Sequence, residues 1–368
     1  MTRIVVSAGE PSGDGHTAAV VRELERRWPG CEWSGMGGAE MAAAGVTRAT
    51  RMEDLSTIGF TSVLAKVPSH VRLLRAMQRS MDDGAVDLAF LTDYPGFNLR
   101  VARMAARRRV PVLYYIAPQL WAWREARISL LREAVTRLAV ILPFEEAFFT
   151  ARGVPTTYVG HPLLDGVTPS KDEARRVLGI PDGRPVLGLF PGSRRIEVRR
   201  MWPALREAAL LVRRAVPEVE VLVAGMSGLA YPQAQEFRIC RGDSAAVMAA
   251  SDAALCKSGT ITLAAALAGT PLLICYRTDA LSFFLARRMV RCAHIGLVNL
   301  VAERAMVPEY IQSAMTGTAL AEGVLPLLDA GGRAAREQRS GLADVSARLG
   351  EPGAARRVAD LAAELVTC

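Results

Sequence analysis

No part of this chain is a plain run of apolar residues long enough to read as a membrane span. The longest uncharged stretch, Ser258 to Tyr276, opens Ser-Gly-Thr and is broken by Gly269-Thr270-Pro271, so it reads as a buried helix, a turn and a buried strand. A secretory leader is missing too: Arg3 brings in charge and the next apolar stretch stops at Gly9-Glu10, and the expectation is a cytoplasmic chain. Cysteine is sparse. The six residues (Cys31, Cys240, Cys256, Cys275, Cys292 and Cys368) form no Cys-x-x-Cys pair, which argues for isolated buried thiols and against a disulfide framework. Four dispersed histidines suggest no metal site, and no Asp-x-Asp pair offers to hold a divalent ion on a diphosphate. No metal and no cofactor are expected.

What is present is a globular composition. The 368 residues are 51% hydrophobic and 22% charged, with 31 Gly and 20 Pro, which excludes disordered, collagen-like and low-complexity chains. The length suits about two domains. Forty-five Lys+Arg against 37 Asp+Glu leave a net charge of +8, an excess that fits an anionic partner: nucleic acid, a phosphorylated substrate or an acidic lipid surface.

Short apolar runs alternate with amphipathic helical patterns. Strands are expected at residues 3–7, 87–91, 110–116 and 138–142, with helices at 17–27 and ahead of Arg107-Arg108-Arg109. Around 159–174 the texture turns to Gly, His, Pro, Asp, Thr and Ser, which reads as a linker. Strands then recur at 186–190, 219–224, 253–256 and 272–276, with helices between them, and 334–366 is alanine-rich and helical. Continuous apolar strands separated by helices indicate parallel sheets covered on both faces. The fold class expected is α/β: two doubly wound, Rossmann-like domains facing across a cleft. The boundaries fall at 1–165, 166–340 and 341–368, the last a helix returning to an N-terminal domain.

Several strand ends carry chemistry. After the first strand comes Gly9-Glu10-Pro11-Ser12-Gly13-Asp14-Gly15-His16, a glycine-rich strand-to-helix turn suited to anions. It is neither Gly-x-Gly-x-x-Gly nor a P-loop. The plainer alternative is that Asp14 caps a helix and Glu10 is solvated. At the end of another buried strand, Asp93 precedes Tyr94-Pro95-Gly96-Phe97-Asn98, where a carboxylate can be held as a general base or simply open a turn. Gln119, Trp121, Trp123 and Arg124 follow a third strand and suit sugar stacking, acyl packing or an interdomain core. In the second half, Gly192-Ser193-Arg194 ends a strand and opens a helix, and Lys257-Ser258-Gly259-Thr260 repeats the device; both suit a pyrophosphate, though each also reads as an ordinary N-cap. Val67, Val71, Leu74, Met77 and Met81 follow helical spacing, with Arg72, Arg75 and Arg79 on the other side. That segment reads either as a basic amphipathic helix on an anionic membrane or as a surface helix with its stripe on the core.

In this order and at this spacing, the clusters resemble the lipid-A-disaccharide synthase family, inverting glycosyltransferases of GT-B architecture. The matching pieces are residues 8–14, Gly35-Met36-Gly37-Gly38 with Met41, 93–98, 115–124, Leu142-Pro143-Phe144-Glu145, Gly153-Val154 with 158–162, Pro191-Gly192-Ser193-Arg194, 257–260 and Val307-Pro308-Glu309-Tyr310-Ile311-Gln312. The resemblance implies transfer of 2,3-diacylglucosamine from UDP-2,3-diacylglucosamine to 2,3-diacylglucosamine 1-phosphate, giving a β-1,6-linked disaccharide 1-phosphate and UDP. It also implies Asp93 as base with Glu10 near it, and Ser12, Gly13, Asp14, Asn98, Gln119, Trp121 and Arg124 around the acceptor. Gly192, Ser193, Arg194, Ser258, Gly259 and Thr260 fall where the donor diphosphate is held, with Asn299, Glu309 and Gln312 facing the nucleotide sugar. With this reading nucleic acid drops out as a partner, and peripheral attachment to the inner membrane is expected through Arg72, Leu74, Arg75, Met77 and Arg79. A homodimer stays open, as do two rival readings: a UDP-N-acetylglucosamine 2-epimerase-like isomerase and a non-catalytic lipid or nucleotide carrier.

Overall fold

The computed structural model describes residues 2–51, 60–82, 86–123, 125–289 and 292–367, which form two units: Met1–Asp165 with Glu351–Cys368, and Gly166–Gly350. In the first unit β1 (Arg3–Ala8), β2 (Glu32–Gly37), β3 (Thr47–Arg51), β4 (Leu88–Thr92), β5 (Val112–Tyr115), β6 (Arg137–Val140) and β7 (Thr156–Tyr158) build a parallel sheet in the order β3-β2-β1-β4-β5-β6-β7. Its connections carry α1 (Pro11–Arg27), α2 (Ala39–Ala43), α3 (Phe60–Asp82), α4 (Pro95–Arg107), α5 (Ile128–Ala134) and α6 (Pro143–Thr150).

The second unit contains α7 (Lys171–Val177), β8 (Val186–Phe190), α8 (Arg195–Ala215), β9 (Glu220–Gly225), β10 (Arg238–Arg241), α9 (Ser244–Ala250), β11 (Ala253–Lys257), α10 (Ile261–Ala268), β12 (Leu272–Tyr276), α11 (Ala280–Met289), α12 (Leu297–Ala302), β13 (Glu309–Ile311), α13 (Gly317–Leu328) and α14 (Arg333–Arg348). Its parallel sheet runs β10-β9-β8-β11-β12-β13. A last helix, α15 (Ala354–Thr367), belongs to the first unit.

Each strand order reverses once, between β1 and β4 in the first sheet and between β8 and β11 in the second. At such a reversal the connections leave to opposite faces, opening a crevice beyond the carboxyl ends of the two strands where ligands of doubly wound folds bind. The turns after β1, β4, β8 and β11 are the four glycine- and charge-rich turns singled out from the sequence.

Continuous apolar strands are needed because both faces of each sheet are covered. Along the central strands of the first unit, Val5, Ala89, Leu91, Val112 and Tyr114 enter one core with α3, α4 and α5, while Ile4, Val6, Leu88, Phe90, Leu113 and Tyr115 enter another with α1 and α15. Burying one such large side chain is worth about 2–3 kcal/mol. The edge strands β3, β7, β10 and β13 and the sub-edge β2 are short or polar and carry no continuous apolar run, so the pattern that locates the inner strands passes them over.

The C-terminal stretch is two helices, not one. Gly350-Glu351-Pro352-Gly353 breaks it; α14 packs with α10, α12 and α13, and α15 with α1. The chain returns to the first unit at Glu351, ten residues later than the expected start of the returning helix at 341. The return is fixed at its start: the Asp165 carboxylate accepts the N–H groups of Gly353, Ala354 and Ala355, and the Arg357 guanidinium donates to the carbonyls of Val159, Glu351 and Pro352.

Candidate functional site

In the first unit a candidate site is built on the β1–α1 and β4–α4 turns. Ala8 pairs with Thr92, so Glu10 and Asp93 stand just beyond the carboxyl ends of adjacent strands. Asp93 and Tyr94 both have left-handed backbone, φ 47° and 49°, costing about 1–2 kcal/mol each outside glycine. Hydrogen bonds hold them there. The Asp93 N–H donates to the Tyr115 carbonyl at 2.9 Å, and the Asp93 carbonyl accepts from Tyr114 Oη at 2.6 Å and Asn98 Nδ2 at 2.8 Å. Burial, then the nearby Asp93 charge, pushes the Tyr114 hydroxyl well up, so it stays a proton donor.

Asn98 is fully buried. Its Nδ2 also lies 3.0 and 3.2 Å from the carbonyls of Thr92 and Ser7, and its Oδ1 accepts from Ser7 Oγ at 2.6 Å. This corrects its expected substrate contact: with every polar atom committed inside the fold, Asn98 positions the Asp93 turn. Asp14 is corrected in the same way. It is 4% exposed and accepts the N–H groups of Gly38, Glu40 and Met41, capping α2 and tying the β1–α1 turn to the chain after β2.

Tyr94, which the sequence reading treated only as part of a turn, joins the two turns. Its ring lies so close to Gly9 that a Cβ there would stand 2.3 Å from it, so only glycine fits. Tyr94 Oη meets His70 Nε2 of α3 at 2.9 Å, and burial, then the charge of Glu10, raises its pKa. Ser12 and Gln119 are exposed, Gly13 is buried, and Arg124 lies outside the described residues. Trp121 is half-buried: its Nε1 donates to Glu145 Oε1 at 3.0 Å and its ring meets Phe144 edge-on. Glu145, in the Leu142-Pro143-Phe144-Glu145 piece, carries no role in the sequence pattern. Its carboxyl, buried among these groups, is pushed up to about 7 although Trp121 and the N–H groups of Leu142 and Ile141 pull it down.

The basic segment on α3 divides. Leu73, Met77 and Met81 are buried in the core with Leu74 packed against them, while Val71, Arg72, Arg75 and Arg79 are exposed. Met77 and Leu74 are therefore corrected from lipid-facing to core-facing, because the apolar stripe is what attaches α3 to the sheet. The Val67 side chain lies outside those described.

In the second unit a candidate site is built on the β8–α8 and β11–α10 turns. Glu197, at the third position of α8, turns back on the chain: its Oε2 accepts the N–H groups of Ser193 at 3.1 Å and Arg194 at 3.3 Å. Its Oε1 pairs with Lys257 Nζ at 3.2 Å and Arg194 at 3.7 Å, bridging the two turns. A Cβ at Gly192, where φ is +106°, would stand 2.6 Å from that carboxylate. Burial raises the Glu197 pKa, but Lys257, the backbone N–H of Arg194 and the Arg194 charge outweigh it and the net shift is downward. Ser193, Arg194 and Thr260 are exposed, with Gly192 and Gly259 half-buried.

Behind these turns runs a fixed network. Ser258 Oγ donates to the Ile295 carbonyl at 2.7 Å. The Glu309 carboxylate accepts from the N–H groups of Ile295 and Gly296, each at 3.0 Å, and from Asn299 Nδ2 at 2.9 Å. Asn299, fully buried, also donates to the Val307 carbonyl and accepts from the N–H groups of Met306 and Val307. Gln312 clasps both backbone groups of Thr278. Asn299, fully buried with every polar atom committed, is thus corrected from a ligand contact to a loop-positioning group; Glu309 and Gln312 are half-buried and order these loops, and the Ser258 hydroxyl anchors the 295 loop.

Among the described residues no cluster of His, Cys, Asp and Glu could hold a metal ion, and no helix is long and apolar enough to cross a membrane.

A family model described as lipid-A-disaccharide synthetase matches residues 4–362. The chain belongs to the lipid-A-disaccharide synthase family. It is 39% identical over 99% of its length to the lipid-A-disaccharide synthase of Syntrophus aciditrophicus, covering 97% of that protein, and 41% identical over 98% of its length to that of Solibacter usitatus, covering 96%. Among solved structures, it resembles a UDP-GlcNAc 2-epimerase from Neisseria meningitidis bound to UDP-GlcNAc, at a TM-score of 0.66 and 11% identity over 99% of this chain and 100% of that one. It also resembles the calicheamicin glycosyltransferase CalG4, at 0.63 and 17% over 100% and 98%. At such identities the likeness speaks for the fold alone, a two-domain α/β fold of GT-B type. Family membership makes the chain a glycosyltransferase of lipid A biosynthesis.

Proposed function

We propose that the chain transfers 2,3-diacylglucosamine from UDP-2,3-diacylglucosamine to the 6-hydroxyl of 2,3-diacylglucosamine 1-phosphate, forming the β-1,6-linked disaccharide 1-phosphate and releasing UDP. The observation that carries this reading is the pair of left-handed residues Asp93–Tyr94 at the switch point of the first sheet. Strain of this kind persists only where the surroundings enforce it, and it concentrates at working sites. The Asp93 carboxylate takes the proton of the acceptor hydroxyl as its oxygen bonds to the anomeric carbon, and the bond to UDP breaks on the opposite face. Such a base is worth about 10²–10⁴-fold. Glu10, one strand over, orients the acceptor beside it.

The second unit supplies the other half of the chemistry. UDP leaves with one additional negative charge on its terminal phosphate to stabilise, and fixed donors aimed at developing charge are the strongest means of doing so. Arg194, Lys257, Thr260 and the N-terminus of α8 take that role, with no metal in the step. Since Glu197 already holds the N–H groups of Ser193 and Arg194, the diphosphate exchanges with its carboxylate for Lys257 and Arg194. Attachment to an anionic membrane surface through Arg72, Arg75 and Arg79 keeps the acylated substrates within reach.

The decisive experiment incubates the protein with both acylated substrates and follows UDP release. Asp93→Asn should lower turnover at least 10²-fold while the affinity for UDP stays within about twofold. Turnover near wild type would remove Asp93 from the base role. Release of UDP without an acceptor-dependent product would favour the isomerase reading instead.

A further inference from the structure

Among the described residues, helix α11 of the second unit carries three of the exposed large apolar side chains, and its own core does not explain them. Leu281, Phe284 and Met289 are 69%, 51% and 44% exposed, three large apolar side chains open to water within ten residues. Arg287 and Arg288 are exposed alongside them, the Arg288 guanidinium lies 3.7 Å above the Phe284 ring, and the helix contains no acidic residue. Its first turn is anchored. Asp279 Oδ1 accepts the Ser282 N–H at 2.8 Å, and Arg200 donates to Thr278 Oγ1 at 3.0 Å and to Asp279 Oδ2 at 3.1 Å. Those bonds, the backbone bond to Ser282 first, hold the Asp279 carboxyl down to about 2, so the anchor stays charged at any physiological pH.

We propose that α11 is a lipid-contacting element: its apolar side chains enter the headgroup–acyl boundary of an anionic bilayer and Arg287 and Arg288 pair with lipid phosphates. A short helix with aromatic and aliphatic groups exposed among cations, and no anion, has the make-up of an interfacial anchor. The cations select an anionic partner, and a rigid base with exposed apolar flanks suits a fluid surface, which needs no shape complement. The assignment is separate from the α3 arginines and from the choice of donor and acceptor.

Sedimentation of the full chain with phosphatidylglycerol–phosphatidylethanolamine vesicles, against pure phosphatidylcholine vesicles, tests it. Leu281→Ser with Phe284→Ser should weaken binding to the anionic vesicles by an order of magnitude. Arg287→Glu with Arg288→Glu should weaken it by at least ~30-fold, with UDP affinity unchanged in both. A Phe284→Trp variant should show emission quenched by brominated lipid. The Arg72, Arg75 and Arg79 to glutamate variant, run in parallel, separates the two surfaces. If it alone loses binding, α11 is not a lipid contact, and if only the α11 variants lose it, the α3 attachment fails instead. Unquenched Phe284→Trp emission on bound protein overturns the proposal. So does a change of oligomeric state of the α11 variants in lipid-free chromatography, which would make this face an interface between copies.

Discussion

Both units place a glutamate at the third position of a helix that opens a strand-to-helix turn, and the two glutamates end in opposite electrostatic states. Glu145 on α6 accepts from the Leu142 N–H and from the Trp121 indole, is 2% exposed, and has its pKa pushed up. Glu197 on α8 accepts from the N–H groups of Ser193 and Arg194, pairs with Lys257, and has its pKa pulled down. The local motif is the same. What differs is whether a cation faces the carboxylate. The first is a buried bracket for an aromatic loop; the second is a charged placeholder in a turn suited to anions. A second pairing runs parallel to it: the fully buried amides of Asn98 and Asn299 each clamp the backbone of a candidate site, one holding the adjacent left-handed pair Asp93–Tyr94 and the other a loop with a single left-handed residue, Glu303 at φ 57°.

The largest effect should come from breaking the amide pairing on its strained side. Asn98→Ala leaves the carbonyl of Thr92 and the hydroxyl of Ser7 without that partner and takes one of two donors from the Asp93 carbonyl. Lost hydrogen bonds and desolvated groups of this kind cost about 3 kcal/mol. Relaxation of the turn should also lower turnover by far more than the unfolded fraction accounts for, as measured by thermal melting alongside UDP release. Equal loss of turnover in Asn299→Ala, whose loop has one left-handed residue, Glu303, and no adjacent pair, would show that the Asp93–Tyr94 pair adds nothing beyond what a buried amide contributes to any such loop.

Next comes the charge on Glu197. Glu197→Gln keeps an oxygen for the N–H groups but ends the ion pair with Lys257, a half-buried contact worth about 1 kcal/mol. If the carboxylate competes with the donor diphosphate, KM for the UDP-sugar should fall three- to tenfold with kcat within twofold. A raised KM would mean that the carboxylate serves by pre-arranging the turn, and an unchanged KM that the Lys257 pair is structural only.

These contrasts also show where sequence reading stops. The inner strands of both sheets and all four switch-point turns were legible, because burial on two faces demands apolar runs and a strand that ends at a ligand crevice demands glycine and polar groups. In a sequence, however, Asp14, Asn98 and Asn299 look the same as Ser12 or Arg194. Whether such a side chain faces a ligand or a backbone amide depends on chain that is remote in sequence, such as Gly38 for Asp14 or Met306 for Asn299. The α3 stripe was left with two readings for the same reason: its spacing marks an apolar face, but the sheet under it decides that Met77 meets Leu73's core and not lipid. Tyr94 carried one signal that could have been used, an aromatic residue placed directly after the candidate base.

The smallest change sought in turnover accompanies the pH dependence of stability in the first unit. The Glu145 carboxyl, ordinarily near 4.5, is raised to about 7 by burial, so between those values the unfolded chain has lost a proton the folded chain keeps, and stability falls as pH rises. His161 in the same unit works the other way. Burial, then the His16 charge, lowers it from 6.5 to about 4, and its Nδ1 accepts the Leu163 N–H at 3.1 Å. As pH falls through that window the unfolded chain binds the proton first, and stability is lost toward acid. Between about pH 4.5 and 6.5 the two slopes oppose each other. Glu145→Gln removes one of them, at most about 3 kcal/mol across its window. The melting temperature of the variant should therefore drop more steeply toward pH 5 than that of the wild type. Parallel profiles would mean that the carboxylate ionises inside the fold as readily as in water, and the contrast with Glu197 would then rest on hydrogen bonding alone.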